Sequence, residues 1–318
     1  MDDKVFQAMA RRVSIINFKG GVGKTTLAFQ LAAGLARFHA SRVLLVDMDH
    51  QSSLSIVCLT AQNWASAVQR RKTVNEIFTP FIGQSNAFPD RSIIEQRAVK
   101  RVRNNHYDRL DILPASLGLD DVEIELTAST HGNPIYSEWD KRTLVCRWIE
   151  ETGIDDDYDY IIFDCPPATK IVSQNAIAAS HGYIIPVVPE SVMERGAPHL
   201  VGMIQNGIDA KLNMLAQFGA ARSMHVPNTA LVGVVVTRIR THGPAQSGYT
   251  DDHTQHLASL QRRWSNLLIN PLIEEGTGVS QALAQGVPVY EMDNTQNVGE
   301  RNIHTMYHQL TDNLQPLI

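Results

Sequence analysis

Residues 19–26, Lys-Gly-Gly-Val-Gly-Lys-Thr-Thr, restrict what this chain can fold into more than any other stretch. They separate two segments of different periodicity. Val13–Phe18 is a β-branched, apolar run, and from Thr25 onward Leu27, Leu31, Leu35 and Phe38 recur at roughly helical spacing. Gly20, Gly21 and Gly23 let the backbone bend tightly between strand and helix and bring its N–H groups against phosphate oxygens. Lys24 adds a point charge for the β- and γ-phosphates, and the Thr25 hydroxyl suits Mg²⁺. The helix that follows points its positive dipole end at the same anion. The loop departs from the common pattern G-x-x-x-x-G-K-[ST]: Phe18 stands where the first glycine would be, and a second lysine, Lys19, precedes the glycine pair.

Two more apolar runs end in acids. Arg42–Val46 leads into Asp47-Met48-Asp49, and alternation along a strand would project Asp47 and Asp49 the same way from its carboxyl end. Tyr158–Phe163 ends in Asp164, followed by Cys165-Pro166-Pro167. In open parallel sheets, ligands collect at the carboxyl ends of the strands, where the phosphate loop also lies. A carboxylate ending an apolar strand there holds magnesium directly or through water. The three acids and the loop together predict a site for nucleotide phosphates and Mg²⁺, with Thr25 as ligand and Asp47 and Asp164 as water-mediated partners.

These segments carry a family resemblance. The loop Lys19–Thr26, the Asp47-Met48-Asp49-His50-Gln51 stretch and the Asp164-Cys165-Pro166-Pro167 stretch are similar, in order and spacing, to the ParA/MinD group of deviant Walker A ATPases. The resemblance continues through Leu113-Pro114-Ala115-Ser116, Ile184–Pro189, Val232–Thr237, and Ser280-Gln281-Ala282 with Gly286–Val289, so it spans about residues 12–300. The layout looks more like the ParA branch than like MinD.

The resemblance implies an α/β fold with a mostly parallel twisted sheet flanked by helices, and a slow, partner-stimulated ATP hydrolase. The amides of Gly20, Gly21, Val22, Gly23, Lys24, Thr25 and Thr26 would cradle the phosphates, and Lys24 would neutralise charge developing during phosphoryl transfer. The resemblance makes Asp49 the water-orienting acid and sends Lys19 across a nucleotide-sandwich homodimer to the partner's ATP. It places Thr237 and Arg238 at the adenine pocket and makes the segment after Asp164, including Lys170, a γ-phosphate switch. No Asn-Lys-x-Asp guanine-reading motif is present, which favours ATP over GTP.

Composition is that of an ordinary α/β chain. The 318 residues carry 28 basic and 33 acidic side chains, a net charge of −5, so bulk charge does not announce nucleic acid. Three separated cysteines, Cys58, Cys146 and Cys165, argue for a reducing cytosol rather than a disulfide framework. The first twelve residues lack a signal-peptide core, and apolar runs such as Leu231–Val236 are strand-sized. We read one ATPase domain over 1–318, with a polar tail over 1–11 and an elaborated helix and loop region over 58–106. The basic clusters there, Gln69–Lys72 and Lys100–Arg103, are solvated helix faces, and Arg240–Thr254 is a surface loop.

The family implies a cytoplasmic, nucleoid-associated protein that binds DNA without sequence preference and positions DNA or another cargo with a ParB-like or adaptor partner. A family arginine that contributes to DNA binding is here Gly278, next to the acidic Glu274-Glu275, leaving Arg238, Arg240, Arg262 and Arg263 as the nearest phosphate contacts. A MinD-like membrane switch would need a basic amphipathic tail, and Asn302–Ile318 has neither lysine nor arginine. A metallocluster ATPase of the same superfamily would use Cys165, but the cysteines lack cluster spacing. His304 and His308 stand one helical turn apart with no third ligand nearby in sequence.

Overall fold

In the computed structural model, which describes residues 9–85, 87–101, 106–167, 169–221, 224–242, 248–292 and 302–318, seven strands form one sheet. They are β1 (Arg11–Ile15), β2 (Val43–Asp47), β3 (Leu110–Leu113), β4 (Tyr160–Asp164), β5 (Gly182–Val187), β6 (Ala230–Val236) and β7 (Leu268–Ile269). Their order is β3-β2-β4-β1-β5-β6-β7, and every pairing is parallel. All residues of β2, β4 and β5 are buried, which is why these strands read as unbroken apolar runs rather than alternating ones. This is the α/β architecture expected from the sequence.

Helices cover both faces. On one lie α1 (Lys24–Phe38), α2 (Ser53–Gln69), α11 (Thr277–Gln285) and α12 (Ile303–Leu314), sharing a core with Val13, Ile15 and Leu45. The other face carries α3 (Asn75–Ile82), α4 (Leu119–Ala128), α5 (Pro134–Asp140), α6 (Leu144–Thr152), α7 (Ile171–Ala179), α8 (Ser191–Gly202), α9 (Ala210–Gln217) and α10 (Asp251–Trp264). Strands β2 and β3 lie to one side of β1, and β5, β6 and β7 to the other. The chain therefore changes winding direction beside β1, and the crevice such a reversal opens falls at the carboxyl end of the strand that leads into the glycine loop.

The C-terminal helix is part of this core. Ile303, Tyr307, Leu310 and Leu314 of α12 are buried against α1. The two helices approach so closely at Gly34 that a Cβ there would lie 2.4 Å from the Thr311 hydroxyl oxygen. His308 stacks on Phe38 at 3.7 Å between centroids and approaches Asp312 at 3.6 Å, while His304 faces the Tyr290 ring. Among the described residues no group of three or more His, Cys, Asp or Glu is arranged to hold a metal, and no helix is long and apolar enough to cross a membrane.

The region 58–106 contains most of α2, then α3 and a short 3-10 turn at Arg91–Ile93. Helix α2 is broken at Thr60, whose φ of 69° and ψ of 155° are strained for a β-branched residue. Three arginines of the basic clusters in this region are paired: Arg70 with Glu95 at 3.0 Å, Arg71 with Glu76 at 2.6 Å, and Arg101 with Glu291 at 3.3 Å. Val102 and Arg103 lie outside the described residues, as do 1–8 of the expected tail, 243–247 of the expected surface loop and 293–300 of the resemblance.

One buried acid gives the fold a pH signature. Asp209 ends a π-helical turn, Met203–Asp209, and accepts the Thr229 N–H at 2.9 Å and its hydroxyl at 3.3 Å. Burial pushes its carboxyl up to about 6 from 3.8, although the bonds from Thr229 pull the other way. The folded state then holds the proton more tightly than the unfolded chain. Stability from this group is highest below the unfolded value and declines as pH rises from about 4 to about 6. Asp209→Asn is expected to raise stability at pH 8 by roughly 1–3 kcal/mol and to change little near pH 4. Urea denaturation at both pH values checks this; an equal effect at each would reject it.

Candidate functional site: a cleft around the glycine loop

The loop is built from both ends. After β1, the Asn17 side chain donates to the Pro186 carbonyl at 2.7 Å and accepts the Lys19 N–H at 3.0 Å, anchoring the turn to β5. Gly21 and Gly23 sit at φ of 73° and 82°, the left-handed region where a side chain would be strained. Gly20 does not, and a Cβ there would meet nothing within 4 Å. Helix α1 begins at Lys24 with no side-chain cap and no acid in its first turn. Among the described residues no protein group accepts the N–H groups of Gly20 to Thr26. A helix start left open in this way favours an anion.

The Lys24 ammonium turns back over the loop and donates to the Lys19 carbonyl at 3.1 Å. Burial lowers its pKa, opposed by the charges of Asp164 and Asp49. Asp164, 1% exposed, faces Asp47 directly in the β2–β4 register. Neither of its carboxylate oxygens has a hydrogen-bond partner, and burial together with the Asp47 charge pushes its pKa well up; the nearby Thr25 hydroxyl offsets this only in part. A buried carboxylate with two orphaned oxygens beside a threonine hydroxyl and a phosphate cradle fits a hydrated divalent cation.

Asp47 is placed differently from the expectation. One oxygen accepts the Asp49 N–H at 3.1 Å, and the other accepts the N–H and hydroxyl of Ser55 at 2.9 and 2.6 Å. It braces the turn between β2 and α2, and burial raises its pKa to about 6. Because β2 ends at Asp47, strand alternation does not extend to Asp49. Asp49 instead lines a cleft of about 700 Å³ with Gly20, Gly21, Gly23, Lys24, Thr25 and Thr26. Its outer wall is formed by Pro167, Thr237, Arg238 and residues 273–276, with Val279 and Leu283 behind. The volume is that of a nucleotide-sized pocket.

Other candidates divide between cleft and surroundings. Lys19 does not line the cleft; its ammonium pairs with Glu190 at the start of α8. Thr237 and Arg238 do line it, but their polar groups bond loop carbonyls: Thr237 Oγ1 to Val22 at 2.7 Å, and an Arg238 Nη to Gly21 at 2.6 Å. Arg238 and Arg240 share the Glu275 carboxylate, at 2.5 and 2.8 Å. Arg262 and Arg263 are at the far end of α10, about 13 Å along its axis from His253, which accepts the Arg240 N–H. The four arginines are not gathered at one point. Lys170 caps α7 and approaches Asp120 at 3.5 Å, while Glu123 of α4 accepts the Ile171 and Val172 N–H groups. The three cysteines are free and buried; burial holds the Cys165 thiol up at about 12.

Sequence reasoning missed Ser55, Glu190 and Glu275. Glu190 carried a usable signal, an acid three residues beyond an apolar strand. Nothing in the order of residues marks Ser55 or Glu275 as partners of Asp47 or Arg238.

A parallel sheet with an uncapped helix start and a glycine loop at its switch point defines the P-loop nucleotide-binding class. A sequence profile described as an AAA domain (AAA_31) matches residues 10–216. An uncharacterized protein of Pseudomonas putida KT2440 is 30% identical over 238 residues, covering 74% of this chain and 78% of that protein. A ParA family protein of Chlamydia pneumoniae is 24% identical over 284 residues, covering 88% and 89%. In fold, the chain is similar to the McdA–ATP complex of Cyanothece, with a TM-score of 0.64, 19% identity and coverage of 98% and 96%. It is also similar to the cobyrinic acid a,c-diamide synthase of Mycobacterium smegmatis with a bound ATP analogue and magnesium, at 0.61, 21%, and 96% and 94%. The chain belongs to this AAA-domain family and is a ParA/MinD-type ATPase.

Proposed function

We propose that this chain is an ATP-driven dimer switch that segregates or positions DNA or another intracellular cargo, the whole of 1–318 acting as one ATPase unit. ATP enters the cleft with its phosphates on the amides of Gly20 to Thr26, and Lys24 takes the β- and γ-phosphate charge. Thr25 and, through water, Asp164 are the groups that would hold Mg²⁺, which supplies charge neutralisation across the β- and γ-phosphates; Asp47 acts on the same site by fixing the 49–55 turn. Asp49 orients the attacking water from the cleft wall.

The observation that carries the reading is the separation of two lysines. Lys24 is folded into the loop, whereas Lys19 stands outside its own cleft, paired with Glu190. A lysine placed there is free to serve a second subunit's nucleotide in trans once Glu190 releases it, which ties hydrolysis to dimer formation. The dimer doubles a modest basic surface, and affinity for phosphate backbones climbs steeply with the number of contacts. In this reading the protein works in the cytoplasm on the nucleoid, and a ParB-like or adaptor protein stimulates slow hydrolysis.

Asp49→Ala provides the test. With ATP and Mg²⁺ this variant should scatter light as a long-lived dimer and be retained on random duplex DNA at low salt, then released as salt rises. Joint Arg262→Glu and Arg263→Glu changes should weaken retention equally for all sequences. A stable dimer with no DNA retention would reject the DNA scaffold and leave a protein surface in its place.

A further inference from the structure

We infer that Glu275, acting through Arg238, is a positioning residue for phosphate binding: from the outer wall of the cleft the pair holds the Gly21 carbonyl and so fixes the direction of the N–H group that follows it. The inference rests on the ATP-binding reading of that cleft and adds to it a residue that contacts no phosphate.

Three loop carbonyls are held. Lys24 Nζ holds that of Lys19, Arg238 holds that of Gly21, and Thr237 Oγ1 holds that of Val22. In a planar trans peptide the C=O of one residue and the N–H of the next point in opposite directions. Holding the Gly21 and Val22 carbonyls therefore directs the Val22 and Gly23 N–H groups away from Thr237 and Arg238. Such restraint matters because Gly21 and Gly23 are free to adopt many backbone conformations, and either peptide plane can turn over. Thr237 needs no help, being buried and fixed through its backbone N–H, which donates to the Val187 carbonyl at 2.8 Å.

Arg238 is the weak member, since it is half exposed and long. Glu275 supplies what it lacks. One carboxylate oxygen accepts both Nε and an Nη of Arg238, at 3.0 and 2.5 Å, and the other accepts Nε of Arg240 at 2.8 Å. The Glu275 backbone is itself fixed, its N–H donating to the Ile239 carbonyl at 2.9 Å. Burial disfavours the Glu275 carboxylate, but the bonds from Arg240 and Arg238 outweigh it and hold its pKa below the ordinary value. The brace thus runs from the outer wall of the cleft through Arg238 to the loop.

Two opposing expectations make this testable. Glu275 lines the cleft, so removing its negative charge should strengthen binding of any polyphosphate if charge alone matters. A brace predicts the reverse. Glu275→Gln and Arg238→Ala are each expected to weaken binding of ATP–Mg²⁺ and of tripolyphosphate by on the order of tenfold, measured by calorimetry. Glu275→Gln in the Arg238→Ala background should add almost nothing, because both act through one contact. Thermal midpoints should stay within about 2 °C of the parent, since exposed ion pairs contribute little to stability. Unchanged or tighter tripolyphosphate binding by Glu275→Gln, or additive effects in the double variant, would overturn the brace. A parent chain that binds neither ATP nor tripolyphosphate would instead overturn the nucleotide reading.

Discussion

Replacing Lys24 by alanine is expected to lower affinity for an ATP analogue by about a hundredfold or more, the largest single effect in the site. The ammonium is the cation folded over the loop, within the fields of Asp164 and Asp49. Its loss removes attraction for the β- and γ-phosphates inside the cleft. Calorimetric titration measures the change, and a thermal midpoint near that of the parent separates lost binding from lost fold. Unchanged affinity would reject the cleft as the phosphate site.

The second large effect concerns Lys19. Lys19→Ala should bind ATP nearly as well as the parent, because this side chain does not line its own cleft. The ATP-dependent dimer should disappear, and phosphate release should drop by roughly 10³-fold, in the range of a charged finger supplied in trans. Glu190→Gln should act in the opposite sense, giving dimers at lower protein concentration by freeing Lys19 beforehand. Light scattering and phosphate release read both variants. A Lys19→Ala chain that dimerises and turns over like the parent would remove the trans role and leave Lys19 as a partner of Glu190 alone.

The sheet was legible in the sequence because four of its strands are short, fully or mostly apolar runs bounded by turns or acids. The ends of β1 moved furthest. The run read as Val13–Phe18 is β1 at Arg11–Ile15, since pairing begins at Arg11 opposite Tyr160 and Asn17 already belongs to the loop anchor. The phosphate half of the site was equally legible, because glycine spacing, Lys24 and Thr25 act locally. The acids were named from the sequence, but their different positions were not. Asp47 and Asp49 look alike in sequence, and only the end of β2 and the position of Ser55 send one into the core and the other into the cleft. Arg238 resembled a base contact and instead bonds a loop carbonyl, a partnership joining residues 217 positions apart. Such pairings depend on how β6 lies across from the loop, which no local pattern records.

The sheet order carries a consequence for dissecting the protein. The motif-bearing part, the matched residues 10–216, ends before β6 and β7. A fragment cut there would retain every phosphate-loop and acidic motif. It would also lay bare the whole hydrogen-bonding rim of β5, a buried strand of tyrosine, isoleucine, proline and valine that β6 normally covers. An uncovered apolar rim recruits other chains. It would further lose Thr237 and Arg238, and with them the bonds to the Val22 and Gly21 carbonyls. The minimal unit that can be excised is thus set by edge protection rather than by the span of the motifs, and a motif-only fragment is expected to precipitate before its nucleotide chemistry can be assayed.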